Sequence, residues 1–582
     1  MKRICAPLLF APLLALSLAT TTLIGCSKKD DAATTQKGSE AGAAAFVSDP
    51  LLSKLPTATE LFYVVNTASS AYKRFNQSPW AQTTSGLHSL QDAIDQMTAA
   101  GADPSQVAGL QIVVSTLQNL GLISPDGKSA VDQVLSKAVF FAGLADSEKQ
   151  PVEVGMYFSG APGASLKSKL PILRQLLADA DMIVAEQKIG GVDGIVARPP
   201  QQPEGSPQEI AIHIAATDSL MAISLTQSGA ESLFSSANTD TIKKMSETPE
   251  FKKAAAAVGV TPDSIAFGYF DMKKLAPVLE KGAAKNGASE EDQKQIREIP
   301  IDSIALAQGY DKQIVSALGV AVSSRSDIQT KFLAALEGAS IPASLAKLPT
   351  DTAFAIGIDT RFIAKLSDFL ASIQDPADAA SVEQLKDLQG VTLGIRNGDG
   401  SSPVPDLYVV INATNRDNLA ATAETLISQG LEGSGAPAQW TAKDIDGTPS
   451  KFIMTMLGAG MYMSTPKGND ALVIASSERA VRDVLQASAG QKGGIADSLQ
   501  ASLKDSLSPS KLASVYFNAI QTASLVESMK STISMFAGPS PELDDALNTQ
   551  KLKQLGLATG SVSYSNGLFL VESAFDAAQA AK

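Results

Sequence analysis

From about residue 50 onward, short alternating apolar runs exchange with helical stripes, so two periods take turns along the chain. Leu61-Phe-Tyr-Val-Val, Ala138 to Phe141, Val152 to Phe158 and Ile210 to Ile214 are rich in β-branched and aromatic residues and predict strands. Leu166 to Leu177, Ala230 to Phe234 and Glu250 to Ala257 predict helices. Asp193-Gly194, Asp446-Gly447, Asn397-Gly398 and Asn566-Gly567 are hairpin-turn dipeptides, since both residue types tolerate positive φ. Hairpins join antiparallel strands. The expected class is therefore α+β, an antiparallel sheet with helices packed on one face.

The pattern occurs twice. Leu52-Ser-Lys-Leu-Pro-Thr-Ala-Thr59 reappears as Leu345-Ala-Lys-Leu-Pro-Thr-Asp-Thr352, and the match continues without a gap to Asn66-Thr67 and Asp359-Thr360. Val192-Asp193-Gly194 answers to Ile445-Asp446-Gly447, and Asp218 to Ser224 answers to Asp470 to Ser476. Pro262, Ala266, Tyr269 and Phe270 answer to Pro509, Ala513, Tyr516 and Phe517. Order and spacing are kept, which predicts a tandem duplication with repeats over 47–338 and 339–582. The first repeat carries an insertion at about 80–131, where Leu87, Leu90, Ile94 and Met97 make a helical stripe.

The start of the chain follows a different logic. Lys2 and Arg3 precede an apolar stretch, Leu8 to Leu18, that is too short to span a bilayer comfortably. The following Leu23-Ile24-Gly25-Cys26 resembles the lipobox of bacterial lipoproteins, a resemblance that covers the first 26 residues. It implies a signal peptide over 1–25, cleavage after Gly25, diacylglycerol on the Cys26 sulfur and usually a further acyl chain on the new amino terminus. Such an anchor is durable, because each buried methylene contributes roughly 0.8 kcal/mol and two or more chains hold stably. Ser27, where an aspartate would retain an enteric-type lipoprotein at the inner membrane, points to the outer membrane, at its periplasmic face or the cell surface. Residues 26–46 form the expected lipidated tether: no large apolar residue occurs from Ser27 to Ala45, and random-coil scaling gives a span of roughly 25 Å. The body loosely resembles uncharacterised families of duplicated bacterial exported proteins, a resemblance that carries no activity and no site residues.

Composition narrows the partners. The net charge is −13, and it becomes two units more negative once Lys2 and Arg3 leave with the signal. Such a surface disfavours nucleic acid and anionic lipid and favours an envelope protein with a basic face. Cys5 and Cys26 are the only cysteines, so the processed chain has no disulfide and relies on core packing.

Candidate chemistry is thin. His88 on the insertion and His213 on a strand are the only histidines, read as surface or boundary residues, and no His/Cys spacing suits a metal. Ser70-x-x-Lys73 and Ser508-x-x-Lys511 lack the companion motifs of penicillin-binding enzymes. Gly121 to Ser129 has five residues between its glycines where a phosphate loop has four. Met454, Met456, Met461 and Met463 flank Leu457-Gly-Ala-Gly460. They are read first as core filling, second as an apolar contact surface and last as a copper(I) site. The expected protein is a membrane-anchored, non-enzymatic binding or scaffolding lipoprotein of the bacterial envelope, with no catalytic residue, cofactor or metal. The alternative is a carrier for an apolar, lipid-like ligand. An envelope hydrolase ranks below both.

Overall fold

Strands with apolar residues at both parities need cover on both faces, and that requirement shapes this protein. The computed structural model describes residues 49–57, 59–78, 118, 120–122, 130–143, 153–201, 211–285, 287–311, 313–365, 386–398, 404–433, 438–454, 460–466, 470–537, 549, 553 and 556–576. Residues 1–25, the lipobox Leu23, Ile24 and Gly25, Cys26, the tether, most of the 80–131 insertion with His88, and Met456 lie outside the described residues. The chain divides into two units, Met1–Val322 and Ser323–Lys582. This boundary precedes the expected 338/339 division because the helix Asp327–Leu336 leads into the second unit. There Lys365 Nζ donates to the carbonyls of Ala335 and Glu337 at 3.0 and 2.8 Å.

In the first unit the strands are β1 Leu61–Val65, β2 Leu135–Gly143, β3 Glu153–Gly160, β4 Ile183–Ile189, β5 Val192–Arg198, β6 Ile212–Ala216, β7 Leu220–Ser224, β8 Ala266–Asp271, β9 Ile301–Asp311 and β10 Gln313–Val322. They pair antiparallel in the order β10-β9-β8-β1-β2-β3-β7-β6-β5-β4. In the second unit they are β11 Thr352–Asp359, β12 Leu388–Arg396, β13 Asp406–Ala413, β14 Thr441–Ile445, β15 Thr448–Met454, β16 Gly460–Ser464, β17 Ala471–Ala475, β18 Ala513–Asn518, β19 Leu557–Ser565 and β20 Leu568–Asp576. Their order, β20-β19-β18-β11-β12-β13-β17-β16-β15-β14, is the same order strand for strand.

Register agrees as well. Tyr269 faces Phe62 as Tyr516 faces Ala355, and Phe141 faces Gly155 as Gly394 faces Tyr408. A register shift falls at Leu135/Lys137 in β2 and at Leu388/Gly390 in β12, the matching point of the two strands. The pair Phe141–Gly155 and the pair Gly394–Tyr408 carry one aromatic ring each, but on opposite strands. A Cβ on Gly155 would stand 2.6 Å from the Phe141 ring, and one on Gly394 would stand 2.1 Å from the Tyr408 ring. One ring fits at this crossing and two do not.

The expectation that helices pack on one face is corrected by strand parity. Tyr157 and Ala222 turn toward α2 (Gln227–Phe234), where the Tyr157 hydroxyl donates to the Gly229 carbonyl at 2.6 Å. Their neighbours Met156, Phe158, Met221 and Ile223 point the opposite way. Those residues pack with Leu170, Leu173 and Leu177 of α1 (Leu170–Asp179). The Phe251 ring of α3 (Pro249–Ala257) stacks edge-on against Phe267 and Tyr269. In the second unit Tyr408, Val410, Val473 and Ala475 form a core with Val481 and Val484 of α5 (Glu478–Ser488). The opposite face carries α4 (Arg416–Gly433), whose Glu424 meets Lys451.

The turns explain two further differences. Asp446–Gly447 and Asn566–Gly567 are two-residue turns with positive φ at both positions. Between β4 and β5 that role belongs to Gly190–Gly191, with φ of 57° and 83°, and not to Asp193-Gly194. Asp193 lies inside β5 and pairs with Lys167 and Lys188, so the matched Asp-Gly dipeptides are not structural counterparts. Asn397–Gly398 follow β12 in a connection that reaches β13 only at Asp406, longer than a two-residue hairpin. His213, read as a surface or boundary residue, is buried between Val196 of β5 and Ser224 of β7.

Candidate functional site

The second unit holds an ionic cluster at the end of β12. Arg396 is 2% exposed and is the largest fully buried side chain. Its guanidinium reaches Asp406 at 3.1 Å through Nε, Asp483 at 2.8 Å through Nη2 and Asp351 at 3.1 Å through Nη1. Asp406 also accepts from Arg479 at 2.6 Å and from the Ser477 hydroxyl at 2.6 Å, while Lys492 pairs with Asp483. Burial alone would lower the Arg396 pKa, but Asp351, Asp483 and Asp406 outweigh it and hold the group above its ordinary value. Burial pushes the Asp483 carboxyl upward, and Lys492 and Arg396 override this and bring it below the usual range. The arginine, locked between carboxylates, is a structural tie and presents no free donor fork to a substrate.

The same place in the first unit is built differently. Gly143 faces Glu153 in the register position where Arg396 faces Asp406. Helix α2 follows its N-cap Thr226 as α5 follows Ser477, so Ser228 stands where Arg479 stands and Ser232 where Asp483 stands. In the sequence match Ala58 stands opposite Asp351. Of the five charged positions compared, those of Arg396, Asp406, Arg479, Asp483 and Asp351, only the acid at the start of the strand is kept. Glu153 Oε1 accepts from the Ser228 hydroxyl at 3.1 Å, while Oε2 is shielded from solvent and has no hydrogen-bond partner among the described residues. Burial raises the Glu153 pKa above the ordinary carboxylate value, and Ser228 opposes it only in part.

A second feature is an apolar face on the second unit that is open among the described residues. Ile358, Leu393 and Leu407 are 37%, 39% and 42% exposed on β11, β12 and β13. Leu393 is flanked by its direct partners Ile356 and Val409, and half-buried Val391 and Ile395 extend the surface along β12. In the first unit the matching face is closed: Phe140 and Ala138 pack with Val131, Val134 and Leu122. Isolated exposed leucines are ordinary, whereas a contiguous apolar set on central strands is unusual for a free surface.

The described methionines of the hairpin, Met454, Met461 and Met463, do not converge. Met461 faces Ile453 and Met463 faces Lys451, so both share one sheet face, whereas Met454 on the next position of β15 points to the other and is 54% exposed. Met463 is buried, which suits core filling. The serines have structural partners. Ser70 donates to Asp263 at 2.7 Å beside Arg74, and Lys511 pairs with Glu572 at 2.5 Å. Among the described residues there is no group of three His, Cys, Asp or Glu side chains that could hold a metal. A small opening of about 100 Å³ is lined by Ser344, Lys347, Val410 and Asn412. Ligand pockets for drug-sized molecules run to roughly 300–1,000 Å³.

Sequence reasoning passed over Arg396 because its three acids lie far away along the chain, at separations of 45, 10 and 87 residues. The one local signal was a charge closing the otherwise apolar strand Val391 to Ile395.

No family model matches this chain, and no curated protein matches it. Among solved structures it is similar to crystal forms of TP0453, a protein of Treponema. Form III aligns with a TM-score of 0.22 at 10% identity, over 50% of this chain and 88% of that one. Form I gives 0.21 at 11%, over 51% and 88%, and form IV gives 0.21 at 9%, over 47% and 80%. At these TM-scores the likeness settles neither fold nor activity. Among the described residues no helix is long and apolar enough to cross a membrane.

Proposed function

We propose that this chain is a non-enzymatic binding or scaffolding lipoprotein of the bacterial cell envelope, anchored through lipid on Cys26 and built from a tandem duplication. The observation that carries the binding reading is the open apolar face around Leu393, at a place where the other unit is closed. The shared strand order, register and β2/β12 irregularity support the duplication. Leu23-Ile24-Gly25-Cys26 supports the anchor. A leash of this length keeps the body near the membrane and raises its effective concentration for partners anchored there. The acidic surplus favours a partner whose rim is basic, with contacts that weaken as salt rises.

Two experiments test this reading. Cys26→Ser is expected to abolish fatty-acid labelling and release the protein from membranes, and persistent labelling contradicts the anchor. A photoreactive residue placed at position 393 in the full chain in cells is expected to capture a discrete protein partner. Cross-links to lipid alone would instead favour the carrier for an apolar ligand.

A further inference from the structure

We propose that Glu153 in the first unit is a recognition point for a guanidinium group of a partner protein, seated where the second unit seats its own Arg396. The proposal rests on the binding reading above for the existence of a basic partner and adds the place and the chemistry.

Equivalence of position comes first. Glu153 and Asp406 each open a strand, β3 or β13, and each faces the last residue of the preceding strand, Gly143 or Arg396. The helix behind each acid begins at a hydroxyl N-cap, Thr226 or Ser477, and sends its second residue to the carboxylate: Ser228 at 3.1 Å or Arg479 at 3.0 Å through Nε. The frame that fixes the carboxylate is thus the same in both units.

The chemistry comes from what is missing. Asp406 receives Arg396, Arg479 and Ser477, so its two oxygens have donors. Among the described residues Glu153 has one hydroxyl on Oε1, and its water-shielded Oε2 has none. A carboxylate oxygen taken from water without a donor costs more than a paired one, and the lost solvation is recovered when a charged donor arrives. Glycine at 143 places no side chain where Arg396 stands. A second unsatisfied atom belongs to the same end of the sheet: Thr59 Oγ1 is buried without a partner, next to Glu60, whose N–H binds the Ala142 carbonyl. Its counterpart Thr352 is satisfied by Pro349 and Tyr408. A planar guanidinium carries several N–H donors and meets a carboxylate through two of them. An ammonium offers only a point charge.

The test uses the full-length protein in detergent with N-acetyl-arginine methylamide as the probe, beside its neutral citrulline counterpart and its cationic lysine counterpart. Affinity for each probe is measured by isothermal titration calorimetry in every variant, and in the wild type the carboxyl carbon of Glu153 is also followed by NMR. The arginine probe is expected to give a saturable shift toward the ionised form. Binding should weaken at least tenfold in Glu153→Gln, remain unchanged in Glu291→Gln on an exposed helix, and be undetectable with citrulline. Gly143→Arg, which supplies the arginine internally, should abolish probe binding; if that variant fails to fold, the glutamine variant still decides. Equal binding to wild type and Glu153→Gln overturns the site, and equal affinity for lysine overturns the guanidinium assignment. Failure here with capture at position 393 intact removes this site alone. Failure at 393 with arginine binding intact removes the apolar face as the partner surface and keeps the recognition point.

Discussion

In the second unit, the end of the sheet beside β12 closes on itself: Arg396, Arg479 and Lys492 balance Asp351, Asp406 and Asp483 in one cluster around the buried Arg396. In the first unit the same end keeps Glu153 and has Gly143, Ser228 and Ser232 where the other charges stand. The apolar faces reverse this relation. The first unit covers its face with Val131, Val134 and Leu122, while the second leaves Ile358, Leu393 and Leu407 open. A shared backbone frame therefore does not fix the surface. Each unit spends its side chains on closing one region and leaves the other with an unmet requirement, and the two unmet requirements are the places where the proposed partner contacts fall.

The largest effect is expected where the comparison rests on buried charge. Arg396→Ala leaves Asp406 and Asp483 short of a partner and should destabilise the second unit by about 3–5 kcal/mol. Arg396→Met, which fills the volume without the charge, should cost less. Urea denaturation of the full chain, with a fluorescent probe in each unit, measures both. An Arg396→Ala loss below 1 kcal/mol would show that the cluster is solvated and that the contrast with Glu153 is unimportant.

A smaller effect is expected at the aromatic–glycine crossing. Gly394→Phe alone places two rings where one fits and should cost about 1–3 kcal/mol. Combined with Tyr408→Gly it recreates the Phe141–Gly155 arrangement of the first unit, so the double variant should recover part of both single losses. Coupling between such neighbours is on the order of 0.5–3 kcal/mol. Strict additivity would count against one frame used twice.

The smallest effect is electrostatic and changes sign between the units. Glu153 has a raised pKa, so its contribution to stability is fully present below the ordinary value of 4.5 and is lost as pH rises through its folded value. Glu153→Gln should therefore raise the unfolding midpoint at pH 7 and leave it nearly unchanged at pH 3. Asp483 has a lowered pKa, so its contribution is present above 3.8 and is lost as pH falls through its folded value. Asp483→Asn should lower the midpoint at pH 7, the opposite direction.

Much of the frame was legible in the chain. The ungapped match from Leu52 and from Leu345 leads into β1 and β11, and Tyr269 and Tyr516 sit at the same register against those strands. These segments are apolar and long enough for pattern to fix their type. The turn between β4 and β5 was misplaced because Asp193-Gly194 has favourable turn chemistry, yet Gly190–Gly191 lies three residues earlier and takes positive φ at less cost. Cover on both faces was missed because an apolar strand such as Leu-Tyr-Val-Val-Ile in β13 reads the same whether one face or two are buried. Beyond the charge that closes β12, neither the Arg396 cluster nor the open carboxylate of Glu153 has a local signature. Both are assembled from residues distant in sequence, and Glu153 is defined by a partner that is replaced with glycine.

The most direct test of the central claim, one frame with opposite electrostatics, is a single pH titration of the full chain labelled with ¹³C at the Asp and Glu carboxyl carbons, with Glu153 and Asp483 assigned through Glu153→Gln and Asp483→Asn. Glu153 is expected to titrate above 4.5 and Asp483 below 3.8 in the same sample. Glu153 titrating at or below 4.5 would mean that its carboxylate already has a partner, and the contrast between the two units would fail.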